Sequence, residues 1–277
     1  MQSISDLNRA PSEHADRLVL YRTFGIERLF QMLTERKLTL LEPSKWDDPY
    51  ERALQELSSG KHLFQKPSMF GLCWSMQGRS DALWRIYSPN KLGVRVSTTV
   101  ERLRSVLSSN VQNSINLSKL FLGRVTYLPE NTTRKPFAFG KLPLDLTDSD
   151  FNRPVNNIAD AIEDMIERAR RNQVQPRDMA KALFVKRTAF DHEREVRLLY
   201  VDEAITAGES AENGGILKLQ IDPLELIRGI QFDPRLSDDV YRALRTTLQT
   251  VLGNSPIRIT KSTLYKGPRQ IIADQKR

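Results

Sequence analysis

Residues 18–41 read Leu18-Val19-Leu20-Tyr21-Arg22-Thr23-Phe24-Gly25-Ile26-Glu27-Arg28-Leu29-Phe30-Gln31-Met32-Leu33-Thr34-Glu35-Arg36-Lys37-Leu38-Thr39-Leu40-Leu41. Leu18 to Tyr21 is a short apolar run that reads as a buried strand. Ile26, Leu29, Phe30 and Leu33 recur at helical spacing and predict an amphipathic helix over 26–36. Leu38-Thr39-Leu40-Leu41 is a second strand, stopped by Pro43. Strand, helix and strand in so short a span open an α+β chain.

The same alternation of elements continues. Met69 to Ser75 reads as a strand, and Ser80 caps a helix over 81–88. Val94-Arg95-Val96 alternates as a strand. Thr98 and Glu101 form a capping box for a helix over 99–108. Residues 108–118, rich in Ser and Asn, read as a loop, and Leu122 to Leu128 as a strand. Residues 129–154 carry four prolines and little periodicity, which predicts a long loop or lid. Ile158, Ile162, Met165 and Ala169 mark a helix over 155–171. Val196, Leu198 and Tyr200 alternate with Glu195, Arg197 and Leu199. Strands follow at Leu217–Ile221, Ile227–Phe232 and Ile257–Ile259, and Ser237 caps a helix ending near Leu252. With no repeat and no linker, residues 18–277 read as a single α+β domain with a mixed or antiparallel sheet flanked by helices. Residues 1–17 read as a disordered N-terminal segment.

Composition narrows the class. The 277 residues are 39% hydrophobic and 27% charged, ordinary for a soluble globular protein with a sizeable core. No apolar run approaches the roughly 20 residues of a membrane span, and the N-terminus has no secretory pattern. One cysteine, Cys73, excludes an internal disulfide and fits a reducing cytoplasm. The histidines, His14, His62 and His192, are far apart, which speaks against a tetrahedral zinc site. Cys73 reads as a small buried strand residue with no base beside it. There is no P-loop and no GxGxxG. The net charge is +8, which suits an anionic partner such as nucleic acid or equally a solvated basic surface. The densest cluster, Arg168-Ala169-Arg170-Arg171, falls late in a predicted helix, where cations suit the dipole.

Three constellations carry candidate chemistry, each with a plain alternative. Trp46-Asp47-Asp48-Pro49-Tyr50-Glu51 is a turn in which Asp side chains bind local amides, or a contributor of Asp48 and Glu51 to a polar cleft. Glu193 and Glu195, two apart on a predicted strand, share a face that Arg197 extends. That row is a neutral ladder, or it holds a sugar hydroxyl and opposes the positive charge of an oxocarbenium-like transition state. Trp84 and Tyr87 are core aromatics, or line a pocket where a ring stacks on a heterocycle.

Read together, Leu20-Tyr21-Arg22-Thr23, Lys45 to Glu51, Cys73-Trp74-Ser75 with Leu83-Trp84-Arg85-Ile86-Tyr87, and Glu193-Arg194-Glu195-Val196-Arg197 resemble the bacterial domain-of-unknown-function family 2971 (DUF2971), over roughly residues 18 to 235. Trp46-Asp47 stands where that family usually has Phe-Asn, and Trp74 where Phe is common. A more distant similarity is to the ADP-ribosyltransferase superfamily, whose order of Arg, Ser and Glu on successive strands is matched by Arg22, Ser75 and Glu195. The Ser-Thr-Ser triplet of arginine-type members is replaced by Cys73-Trp74-Ser75.

These resemblances imply an NAD-using transferase or NAD glycohydrolase, in a bacterial defence or toxin setting. Tyr21, Arg22, Ser75, Trp84 and Tyr87 would bind the cofactor, Glu195 would be catalytic, and Glu193 would act toward a nucleic-acid or protein acceptor. They further imply that Arg22, Ser75 and Glu195 converge on one cleft. A nucleic-acid-binding module with basic helices, and a non-catalytic interaction domain on the same fold, are the rival implications.

Overall fold

The computed structural model describes residues 2–3, 16–52, 67–109, 119–129, 180, 183–206 and 214–268. In chain order the strands and helices are β1 (Gln2–Ser3), β2 (Val19–Gly25), α1 (Ile26–Glu35), β3 (Lys37–Leu41), β4 (Pro67–Ser75), α2 (Asp81–Tyr87), β5 (Gly93–Thr99), α3 (Val100–Ser108) and β6 (Leu120–Arg124). They continue as β7 (Thr126–Leu128), β8 (Val185–Arg187), β9 (Glu195–Thr206), β10 (Ile216–Gln220), α4 (Pro223–Leu226), β11 (Gly229–Phe232), α5 (Asp238–Leu252) and β12 (Arg258–Lys261). The architecture is α+β, with mostly antiparallel strands and helices packed on them. The loop over 108–118, the lid over 129–154 and the helix over 155–171 with its Arg168–Arg171 cluster lie outside the described residues, apart from residues 108, 109 and 129.

The chain divides into two compact units. The first holds residues 1–15, 38–75 and 111–219. Its strands run β1-β6-β9-β4 in antiparallel order, with β3 paired to β4 at Leu41 and Gly71 and to β10. Gln2–Ser3, in the segment read as disordered, pairs with Phe121 and Leu122. The stretch read as one strand over 122–128 is two. Val125 breaks it, because its N–H is taken by the Glu195 carbonyl, and β7 then pairs in parallel with β8 in a separate two-stranded sheet. Met69, Phe121, Leu183, Phe184, Leu199 and Val201 form a core cluster on which Trp46 packs.

Gly71 makes that packing possible. A Cβ there would press into the Trp46 ring and sit 2.8 Å from Leu199 Cδ2. Gly71→Ala is therefore expected to cost about 1–3 kcal/mol by overpacking, read as a lower urea midpoint at unchanged m-value. Wild-type stability in this variant would mean that the Trp46 ring is not fixed by the sheet.

The second unit holds residues 16–37, 76–110 and 220–277. Its sheet runs β2-β5-β11-β12, antiparallel except for the parallel β11–β12 pair. Leu20, Val94, Val96, Ile230 and Phe232 are buried in its core. Helix α1 ends at Arg36, a left-handed C-cap at φ 54°. Ser80 caps α2 and Ser237 caps α5, each hydroxyl accepting an amide three residues on. Helix α3 is capped by Thr99, not by Thr98. Strand alternation turns Thr98 inward, where its hydroxyl donates to the Leu226 carbonyl at 2.7 Å, and leaves Thr99 free to cap Arg102.

Candidate functional site

The Lys45–Glu51 segment is a turn built by its own side chains. Asp48 Oδ1 accepts the Tyr50 amide at 3.0 Å and the Asp48 carbonyl accepts the Glu51 amide at 3.1 Å. The same turn delivers its acids to buried ion pairs. Asp48 pairs with Arg187 at 2.9 Å, and Tyr50 lies under that guanidinium. Glu51 pairs with Arg197, and the Trp46 ring centre lies 4.7 Å from the Arg197 guanidinium carbon.

Arg197, on β9, is fully buried. Its Nε donates to Glu195 Oε2 at 2.9 Å, a terminal nitrogen reaches the same oxygen at 2.6 Å, and the other donates to the Leu183 carbonyl. Glu195 opens β9, with its N–H donating to Tyr127 Oη at 2.9 Å and its carbonyl accepting from Val125. Glu193 is not on the strand. It ends a 3₁₀ turn over Thr188–Glu193, and Arg194, left-handed at φ 44°, reverses the chain before β9 begins. The two acids meet because both reach Lys186 on β8. Its ammonium donates to Glu193 Oε2 at 2.5 Å and to Glu195 Oε1 at 3.2 Å. Ser75, ending β4, donates its hydroxyl to the Glu193 carbonyl at 2.5 Å.

Among the described residues, three buried carboxylates (Glu51, Glu193, Glu195) thus face two buried cations (Lys186, Arg197). Protonation follows from that imbalance. Burial pushes Glu195 up, but the Arg197 guanidinium and the Lys186 ammonium overcome it and hold the carboxyl at about 2. Burial raises Glu193, the Glu195 charge raises it further, and Lys186 only partly offsets them. Glu51 is likewise raised by burial against Arg197 and Lys186. Burial would lower Lys186, yet the three acids keep it above the ordinary lysine range. Desolvation, then the Glu195 charge, pushes the Cys73 thiol up to about 12, although the side chain expected to be buried is partly exposed.

The sign of the pH dependence follows. Glu195 has a folded pKa below its unfolded value near 4.5, so its stabilisation is present above that value and is lost as pH falls toward about 2. Wild-type stability is expected to drop in this window by on the order of a few kcal/mol. Glu195→Gln should flatten that acid limb, as followed by circular dichroism. Acid limbs of equal depth in both proteins would refute the assignment.

Sequence reasoning missed Lys186, the residue that joins the two acids. Its only signal was a lysine between Val185 and Arg187 behind Phe184. The structure brings Ser75, Glu193, Glu195, Arg197, Asp48 and Glu51 together in the first unit. Tyr21, Arg22, Trp84 and Tyr87 belong to the second unit. There Tyr21 and Trp84 flank the Arg95 guanidinium at 5.2 and 5.5 Å from their ring centres. Trp84 is buried and Tyr87 exposed. Arg22 lies over Phe24. Among the described residues no group of His, Cys, Asp and Glu is arranged to hold a metal ion, and no helix is long and apolar enough to cross a membrane.

No curated protein matches the chain. Solved structures similar to the chain include three at 12% identity, each covering 89% of this chain. They are Thermus sp. 2.9 DarT in complex with NAD+ (TM-score 0.37, 96% of that chain covered), with ADP-ribosylated ssDNA (0.35, 94%) and with carba-NAD+ (0.35, 96%). A likeness at those scores carries no argument about activity. Residues 83–198, which include Trp84, Tyr87, Glu193, Glu195 and Arg197, match the family described as protein of unknown function (DUF2971), and over that span the chain is similar to it.

Proposed function

We propose that this protein is an NAD-using ADP-ribosyltransferase or NAD glycohydrolase, with Glu195 as its catalytic carboxylate. The observation that carries the reading is the Glu193–Glu195 pair, two buried acids on one ammonium whose environments push their protonation in opposite directions. Such a split assigns different roles to neighbouring acids. Glu195 stays ionised, its carboxylate held by Arg197, Lys186 and a hydrogen bond with Glu193, and a ribose hydroxyl would take the place of the Glu193 contact. Its charge opposes the positive charge of an oxocarbenium-like centre. Glu193 holds its proton to higher pH and is suited to proton transfer toward an acceptor. NAD supplies the bond that breaks, between nicotinamide and ribose. The resemblance assigns Ser75, Tyr21, Arg22, Trp84 and Tyr87 to the cofactor; the proposal rests on none of them. An effector in a bacterial defence or toxin system, acting on nucleic acid or protein, is the setting this chemistry suits.

The burial of Glu195 and Arg197 favours one competing reading, an ion cluster that only holds the strands together. The deciding experiment incubates the protein with NAD alone and with single-stranded DNA, RNA or protein, and quantifies nicotinamide. Release that depends on Glu195 supports the enzyme. No release under any condition, with no NAD-induced rise in melting temperature, leaves the structural cluster.

A further inference from the structure

The second unit carries a groove that the proposed chemistry does not use. Strand pairing sets Tyr21 opposite Ser97, Ser97 opposite Gly229 and Gly229 opposite Arg258. The next row on the same face is Thr23, Arg95, Gln231 and Thr260. Tyr21, Arg95, Ser97, Gly229, Arg258 and Thr260 thereby line an open groove of about 480 Å³. Arg228 and Lys261 line it too. Arg258, Thr260 and Lys261 also line a neighbouring cavity of about 620 Å³ that reaches Arg245 on α5.

The chemistry of this lining is one-sided. Four cations border the groove, a fifth extends it, and no Asp or Glu is among the lining residues of either space. Lys261 is tied to Asp238 at 2.6 Å. Arg228, Arg245 and Arg258 are exposed and make no side-chain ion pair among the described residues. Arg95 is held in place by Tyr21, Trp84 and Gln231. Gly229 carries no side chain midway along the first row, and the Ser97 hydroxyl leans over its carbonyl. With strands about 4.8 Å apart, such a row spans the space of about two nucleotides, with an aromatic ring at one end and guanidinium groups toward the other.

We propose that this face of the β2-β5-β11-β12 sheet binds single-stranded nucleic acid, with Arg228, Arg258 and Arg245 on phosphates and Tyr21 against a base. A basic groove with an aromatic platform is the combination that holds single strands without reading sequence. Thr260 adds a hydroxyl, while the Ser97 hydroxyl is turned to the Gly229 carbonyl at 3.4 Å. The inference does not depend on NAD chemistry, and its test uses none.

The full-length protein is titrated against a labelled mixed-sequence DNA strand of roughly 12 nucleotides by fluorescence anisotropy, from about 50 to about 300 mM salt. A duplex of the same sequence and inorganic pyrophosphate serve as competitors. Binding should weaken with salt by a log–log slope near −0.7 per phosphate contact. Arg228→Glu/Arg258→Glu should lose about 30-fold or more at low salt and flatten that slope, and Tyr21→Leu should lose about 5-fold or more. Should the charge-reversed variant not fold, Arg228→Gln/Arg258→Gln carries the same comparison. No binding, binding unchanged in the arginine variants, tighter binding of the duplex, or displacement by pyrophosphate at the strand's own phosphate concentration would each overturn the proposal.

Discussion

Glu195→Gln protein is expected to release nicotinamide from NAD about 10²–10³-fold more slowly than wild type, the usual loss for one electrostatic group aimed at developing charge. The substitution keeps the shape of the side chain and removes the charge that Arg197 and Lys186 hold in place. Arg197 retains Glu51 as a partner, so the protein should still fold, with a lowered melting temperature. Glu193→Gln should affect hydrolysis less than transfer, because its role is toward the acceptor. A purely structural cluster gives another pattern, in which both variants melt earlier and wild type has no release to lose. Nicotinamide release and melting temperature measured on the same three preparations separate the readings.

Arg197→Met is expected to destabilise the fold by about 3–5 kcal/mol, because it strands buried acids without their counter-charge. Methionine fills much of the same volume beside Trp46, so a cavity contributes little. The informative comparison is Arg197→Met combined with Glu51→Gln and Glu195→Gln, which removes the acids as well and should recover most of the loss. Urea unfolding near neutral pH measures both. A single variant within about 1 kcal/mol of wild type would show that the acids find other partners.

Much of this was legible in the chain. Periodicity gave α1 and β9 because their apolar faces repeat cleanly, and Ser80 and Ser237 announced α2 and α5. Asp48, Glu51 and Arg197 stood out as cleft candidates from residue type alone; Glu51 pairs with Arg197, and Asp48 with Arg187. Other features depend on tertiary placement. Thr98 and Thr99 are chemically alike, and only burial decides which one caps. Glu193 and Glu195 looked like strand neighbours, whereas a left-handed Arg194 separates a 3₁₀ turn from β9. Lys186 reads as a surface lysine until β8 carries it between two acids.

The turn at Trp46–Glu51 has a consequence for synthesis. Glu51 and Arg197 are 146 positions apart, and Asp48 and Arg187 are 139 apart. A chain made from its N-terminus exposes the acids of the turn long before their cations exist. At about 5–20 residues per second that interval lasts on the order of ten seconds, during which Asp48 and Glu51 stay hydrated and Trp46 has no guanidinium to cover. The network can close only after β9 has emerged, long after the turn itself has left the ribosome.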